Sequence, residues 1–263
     1  MTWKLTKIPK IAHFFWDGKP LSFLRWASIN SFSVLNPDWE LRFHMTKGDV
    51  KAAWKSDENK QVNSSDYREW LSKIANLQII EETEFEGMHG VHQSDILRTK
   101  YLAEDGGIWS DVDILYHKPM DELECNVSDY SDRDCALCWN GKWFPIAFMF
   151  AAPGSTFFEA VHSAQRNVIR GRNTRDDYQC YGTRVFKGIF KRYDYNPVPI
   201  APHEVYQKMW KAHAKIFDGD VDLDLGIGVH WYGGSASAAE FEPKITHKNW
   251  QELPIRNMLE VTL

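Results

Sequence analysis

The chain has 263 residues, 43% of them hydrophobic, and a formal net charge of −5 from 31 Lys and Arg against 36 Asp and Glu. That is an ordinary globular composition, sized for one domain over residues 1–263. The acidic balance offers no electrostatic footprint for tight binding to a nucleic-acid backbone, so a nucleic-acid acceptor is disfavoured.

Residues 8–16 (IPKIAHFFW) form an apolar run long enough for a buried strand, ended by Asp17-Gly18. Residues 21–35 place Leu24, Ala27, Ile29, Phe32 and Leu35 at helical spacing, and Asn36-Pro37-Asp38 stops them. Residues 39–44 alternate as a second strand would. A β-α-β start argues for a parallel sheet with helices on its faces. Helical material is expected near residues 50–54 and 67–74, around a polar break at 56–65. An acidic loop spans 121–134. Further strands are expected at 136–139 and 145–151, with helices at 156–170 and 181–193. Past a proline-broken stretch at 196–202, residues 218–225 are acidic and 226–234 glycine-rich, and a polar tail fills 237–263.

Several features read blandly. Arg166, Arg170, Arg172 and Arg175 suit the solvated side of a helix and its following loop. Cys125, Cys135, Cys138 and Cys180 lack zinc spacing and a thioredoxin-like context, so free thiols in a reducing cytosol are expected. The stretch Met1-Thr2-Trp3-Lys4 has no signal-peptide core, and no run reaches membrane-spanning length. A cytoplasmic location is the expectation, with peripheral membrane association left open.

The stretch from 94 to 113 carries the chemistry. Asp95 and Arg98 lie three apart and share a helix face, which alone implies a surface ion pair worth about half a kcal/mol. Gly106-Gly107 supplies a left-handed helix stop and a sharp turn. If residues 108–115 run as one strand, Trp109, Asp111, Asp113 and Leu115 share a face, with the carboxylates roughly 7 Å apart at Cα. Two like charges so placed need water, bases or a cation. Carboxylate oxygens suit Mg²⁺ or Mn²⁺, which commonly bind together with substrate phosphates.

An isolated Asp-x-Asp is frequent by chance; after a helix, a glycine pair and an aromatic it is specific. In that setting the sequence resembles the GT-A glycosyltransferases with a DXD sugar-binding region. These include the family 32 enzymes, the α1,4-galactosyltransferases and the catalytic domains of clostridial glucosylating toxins. Their pattern S-D-x-x-R-x-x-x-L, then G-G-x-Y/W-x-D-x-D, is filled by Ser94, Asp95, Arg98, Leu102, Gly106, Gly107, Trp109, Asp111 and Asp113. Residues 8–18 are similar to the family opening I-P-K-x-I-H-x-x-W-x-G, and 36–40 to its N-P-x-(aromatic)-E. Looser likenesses run from Val198 to Tyr206 and from Val229 to Ser235, so the motif core spans 8–236.

The resemblance implies an α/β GT-A fold: a Rossmann-like, mostly parallel central sheet flanked by helices, in a single domain. It implies transfer of a hexosyl or pentosyl group, with retention, from a nucleoside diphosphate sugar, UDP-sugars being favoured. The acceptor would be a hydroxyl of a glycan, glycolipid or protein, with a polysaccharide among the products. Phe15 and Trp16 would hold the base, and Asp95 and Arg98 the donor's sugar and diphosphate. Trp109 would line the donor pocket, and Ser235 would touch the leaving diphosphate. Asp111, Asp113 and His230 would hold Mn²⁺ or Mg²⁺, so Asp111, Asp113 and Arg98 would be catalytic. The family's closing Trp is Ala236 here, for which Trp231 or Tyr232 could substitute. No Asn opens the 145–154 segment, although Asn140 is close by. Asp176, Asp177 and Glu204 are candidate nucleophiles without positional support. Two rival readings are a degenerate nucleotide-sugar or carbohydrate binder and an Asp-x-Asp phosphohydrolase.

Overall fold

Parallel pairing begins with the first apolar run. The structure, a computed structural model, describes residues 7–47, 64–124, 133–138, 144–170, 178–193, 195, 197–208 and 210–263. β1 (Ile11–Trp16) pairs in parallel with β2 (Glu40–Thr46), from Ile11 opposite Glu40 to Trp16 opposite Met45. The crossover is α1 (Phe23–Leu35), where the Ser22 side chain accepts from the N–H of Arg25 as an N-cap. Residues 68–73 form a short 3-10 helix, within the 67–74 stretch expected to be helical. The helix expected near 50–54 lies outside the described residues. β3 (Leu77–Glu82) adds to β2 in parallel and was not expected. Its sequence LQIIEE is half polar because it is an edge strand, so it lacks the apolar run that betrays an interior one.

α2 (Gly90–Glu104) ends at the glycine pair. Gly106 and Gly107 adopt φ of +69° and +86°, a region costly for any side chain. A Cβ on Gly107 would also lie 2.3 Å from the Ile11 carbonyl oxygen. β4 (Gly107–Ser110) then pairs in parallel with β1 and antiparallel with β7 (Phe148–Ala151).

The expected strand over 108–115 is broken. Asp111 donates its N–H to the Ala147 carbonyl, and the chain turns out of the sheet. β5 (Ile114–Tyr116) pairs instead with β9 (Gly228–His230) as a separate antiparallel ribbon. Asp111 and Asp113 therefore sit in the turn between two sheets, not on one strand face.

β6 (Cys135–Cys138) and β8 (Val198–Ile200) complete a seven-stranded sheet in the order β3-β2-β1-β4-β7-β6-β8. Every neighbour pair in it is parallel except those made by β7. The sheet separates two apolar layers, and the alternation along each strand decides which side chain enters which. Ile108, Phe148 and Phe150 join Phe14 and Phe32 on the α1 side. Trp109 and Met149 join Leu97, Phe157 and Phe186 on the other. There α2 packs with α3 (Thr156–Arg170) and α4 (Thr183–Arg192).

Residues 237–263, the polar tail of the sequence, contribute apolar side chains to the core. After α5 (Ala214–Phe217), the segment that holds the short helices α6 (Ala236–Phe241) and α7 (Arg256–Leu259) sends Ile245, Ile255, Met258 and Leu259 into the α1-side core. The signal was weak because polar residues outnumber apolar ones there and each helix is shorter than two turns. Cys135, Cys138 and Cys180 are buried thiols outside any disulfide among the described residues, while Cys125 lies outside those residues. Among the described residues no helix is long and apolar enough to cross a membrane.

Candidate active site

The C-terminal ends of β1 and β4 open into a cavity of about 540 Å³. β1 leads through α1 to β2 on one side and meets β4 on the other. The cavity thus lies at the point where strand order reverses, the usual ligand crevice of open α/β sheets. Phe15 and Trp16 line its floor. Trp16 is fixed by its indole N–H, which donates to the Lys19 carbonyl at 2.8 Å. The Arg25 guanidinium lies 4.4 Å from the centre of its ring, a cation–π contact. Asp17 and Lys19 form an ion pair of 2.7 Å at the rim.

One wall comes from α2 and the turn after β4. Asp95 and Arg98 share a helix face as expected, but the face is buried, which no i,i+3 spacing can reveal. Arg98 lies 3.2 Å from Asp95 Oδ1 and 3.5 Å from Asp111 Oδ1. Its remaining donors reach the carbonyls of Ser94 and Ile146 and the Ser94 hydroxyl. Burial pushes the Asp95 carboxyl up to about 7; the shared Arg98 guanidinium opposes the shift only in part, and the neighbouring Asp111 adds to it. Asp111 is raised too, by loss of solvent and by Asp113, against the pull of Arg98. The 178–183 segment closes over Asp95 where a Cβ on Gly182 would meet Asp95 Oδ2 at 2.5 Å.

The opposite wall comes from β9 and the loop after it. Asp113 Oδ2 accepts the Gly233 N–H at 2.7 Å, and Asp113 Oδ1 stands 3.1 Å from His230 Nε2. Asp113 Oδ1 and His230 Nδ1 are both buried and find no hydrogen-bond partner among the described residues. Burial alone would raise Asp113. The His230 ring, the Arg25 guanidinium and the Gly233 N–H more than offset it and hold the carboxyl well below the usual range. Tyr206 and Tyr232 stand beside His230, ring centres 5.1 and 4.3 Å away, and both line the cavity. Tyr232 has φ of +54°, a left-handed conformation uncommon for a bulky residue.

Arg25 joins this wall to the C-terminal segment. Its Nε and Nη2 bind the two carboxylate oxygens of Glu242 at 2.6 and 3.2 Å, and Ser22 donates to the same carboxylate at 2.6 Å. Both charged side chains are buried. Sequence reasoning missed this pair because its members stand 217 positions apart. Arg25 at an otherwise apolar helix position was the one available signal.

Some expected site residues lie elsewhere. Trp109 does not line the cavity. It is buried in the α2-side core, with its indole N–H donating to Asp111 Oδ1 at 2.8 Å and its ring 5.3 Å from the Arg98 guanidinium. Strand alternation puts it inside, so it positions Asp111 from beneath. Ser235 is the N-cap of α6, its hydroxyl accepting the Ala238 N–H, and does not line the cavity. Of the two proposed replacements for the family's closing Trp, Trp231 is fully buried against Ser28, whereas Tyr232 faces the cavity. Glu204 is buried outside the cavity wall. Asp176, Asp177 and Asn140 lie outside the described residues.

A divalent ion fits part of the expected ligand set. Two ligands held at about 2.1 Å and at right angles stand about 3.0 Å apart, close to the separation of Asp113 Oδ1 from His230 Nε2. The orphaned Asp113 oxygen is suited to the same ion. Asp111 does not converge with that pair, because Trp109 and Arg98 draw its Oδ1 away. The three-residue metal-type cluster among the described residues is a different one, Glu124, His203 and Glu204.

Residues 25–128 match the family described as "Glycosyltransferase sugar-binding region containing DXD motif". That stretch contains Arg25, Asp95, Arg98, Asp111 and Asp113 and leaves Trp16 and His230 outside. No curated protein matches the chain. Among solved structures, PaToxG Glycosyltransferase aligns with a TM-score of 0.51 at 17% identity, over 72% of this chain and 73% of that one. A glycosyltransferase involved in the glycosylation of the major capsid of PBCV-1 gives a TM-score of 0.48 at 10% identity, over 90% and 100%. The apo-form glycosyltransferase GlyE of Streptococcus pneumoniae TIGR4 gives 0.47 at 14%, over 85% of this chain and 54% of that one. The chain has the mixed α/β GT-A fold, with a mostly parallel seven-stranded sheet flanked by helices.

Proposed function

We propose that this chain, which carries a DXD glycosyltransferase sugar-binding region over residues 25–128, moves a sugar from a nucleoside diphosphate sugar to an acceptor hydroxyl with retention. One observation carries the reading. A buried guanidinium, Arg98, and a buried pair, Asp113 and His230, face the same cavity that Trp16 lines. A diphosphate needs positive charge on more than one side, and the cavity supplies one cation and a seat for another.

In this reading the base stacks on the face of Trp16 that Arg25 leaves open, since indole accepts any base π-face. Asp95, raised to about 7 by burial, exchanges hydrogen bonds with donor hydroxyls, and Asp111 does the same from its turn. Asp113 and His230 would hold Mn²⁺ or Mg²⁺. When bound, the ion supplies Lewis-acid neutralisation of charge growing on the leaving diphosphate. Arg98 adds to that stabilisation from a fixed position, with no reorganisation as the charge develops. The acceptor hydroxyl enters on the face the diphosphate leaves, and the leaving oxygen takes its proton. UDP-sugars are the favoured donors, and a glycan, glycolipid or protein hydroxyl the acceptor. The free thiols support a cytoplasmic location.

A panel of UDP- and GDP-sugars tests the reading. Release of nucleoside diphosphate is expected from one donor, with Mn²⁺ and not in EDTA, and the product's anomeric carbon should keep its configuration by NMR. Calorimetric donor binding with no turnover would instead favour a binding protein, and an inverted product would remove the same-face mechanism.

A further inference from the structure

Glu204 ends the short 3-10 turn Pro202–Glu204, and its side chain is fully buried. Its Oε1 accepts one bond, from the Glu124 N–H at 3.2 Å, and its Oε2 meets no donor among the described residues. Lys118 does not neutralise it by contact, because that ammonium binds the Asp224 carbonyl. A buried carboxylate bonded so thinly is costly unless a proton or a cation joins it. Burial has pushed it up to about 7.

The side chains next to it are themselves ligands. His203 Nε2 lies 3.9 Å from Glu204 Oε1 and 3.9 Å from Glu124 Oε2. One donor atom from each of the three residues lies within 4.8 Å of the other two. Ligands about 2.1 Å from one ion stand at most about 4.2 Å apart, so both His203 contacts are already within reach. Glu124 is exposed and free to close the remainder. One imidazole with two carboxylates is a donor set for Zn²⁺ or Mn²⁺ rather than for an all-oxygen Mg²⁺ or Ca²⁺ site.

We infer that Glu124, His203 and Glu204 bind one transition-metal dication of the Zn²⁺ type, at a structural site separate from the donor cavity. The ion clamps the end of the 120–124 segment to the turn behind the β9 wall. Ile227 donates its N–H to the Glu204 carbonyl at 2.9 Å, and His230 donates its N–H to Val205 at 2.7 Å. Tyr206, next in sequence, lines the cavity. The clamp therefore braces the segment that carries His230, and it stands whether or not the chain transfers sugars.

Zn²⁺ titration of the Asp113→Asn chain tests it, since that change removes the donor-cavity carboxylate. Calorimetry should give one ion per chain, and saturation should raise the melting temperature by several degrees. Glu204→Gln in that background should weaken binding at least tenfold and abolish the rise. His203→Gln should do the same, and its half-exposed position keeps the test free of folding defects. Absence of saturable binding, or binding untouched by both changes, would overturn the inference.

Discussion

On the α2 wall of the cavity, Asp95 and Asp111 share the one guanidinium of Arg98 and are raised; on the β9 wall, Asp113 meets His230, Arg25 and the Gly233 N–H and is held low. Asp111 and Asp113 are two residues apart in sequence and belong to opposite walls. The turn out of the sheet at Asp111 is what separates them. The repeated Asp of the motif thus provides two different groups: Asp111, raised by burial and by its neighbour, and Asp113, held low by His230, Arg25 and Gly233.

The sharpest way to break this contrast is to neutralise each carboxylate in turn. Asp113→Asn should lower metal-dependent transfer by about 10³-fold, the scale of removing one preorganised electrostatic contact, and Asp111→Asn by about 10²-fold. Steady-state kcat/KM checks both, and equal losses would mean the walls are not distinct.

The β9 wall should also be the more fragile in folding. Arg25→Met leaves Glu242 buried and unpaired, with an expected cost of about 3–5 kcal/mol by urea denaturation. Arg25→Met with Glu242→Met should recover much of that loss. A double variant as unstable as the sum of the singles would show the pair is not coupled.

A smaller effect is expected on the other wall from Trp109→Phe, which removes the indole N–H from Asp111. About 1–2 kcal/mol of stability should go, and kcat/KM should fall about tenfold with the donor KM little changed. A purely structural Trp109 would lower stability without touching kcat.

The smallest contrast is in pH dependence, measured as unfolding free energy in EDTA. Asp95 binds its proton more tightly folded than unfolded, so stability should fall as pH rises from about 4 to about 7. Glu204 adds to the same limb, so Asp95→Asn should flatten it only in part. Asp113 works the other way: its contribution is complete above about pH 4 and is lost on acidification below that. Asp113→Asn should remove that acid loss and, by taking away the charge that helps raise Asp111, leave the upper limb slightly flatter.

The α2 wall was legible in sequence because its parts are local: a helix face, a glycine stop and an Asp-x-Asp within 20 residues of one another. The β9 wall was legible at Asp113 through the Asp-x-Asp, and at His230 and Tyr232 only through the resemblance. Arg25, Tyr206 and Glu242 reach it from distant elements, and nothing in their spacing points there. Strand alternation correctly put Ile108 and Trp109 on opposite faces but was carried too far, past the hydrogen bond from Asp111 to Ala147 that ends the strand. That error joined the two carboxylates on one face with Trp109, which the resemblance had placed in the donor pocket. β3 and the helices from 236 on escaped notice for a common reason: edge strands and helices shorter than two turns leave little periodicity to read.

Calorimetric binding of UDP to the chain, with Mn²⁺ and then with EDTA, and repeated with Asp113→Asn, tests the donor-site reading most directly. At least tenfold weaker binding is expected in EDTA and in the variant, with the residual affinity carried by Trp16 and Arg98. Equal affinity in all three titrations would contradict a cation seat at Asp113 and His230.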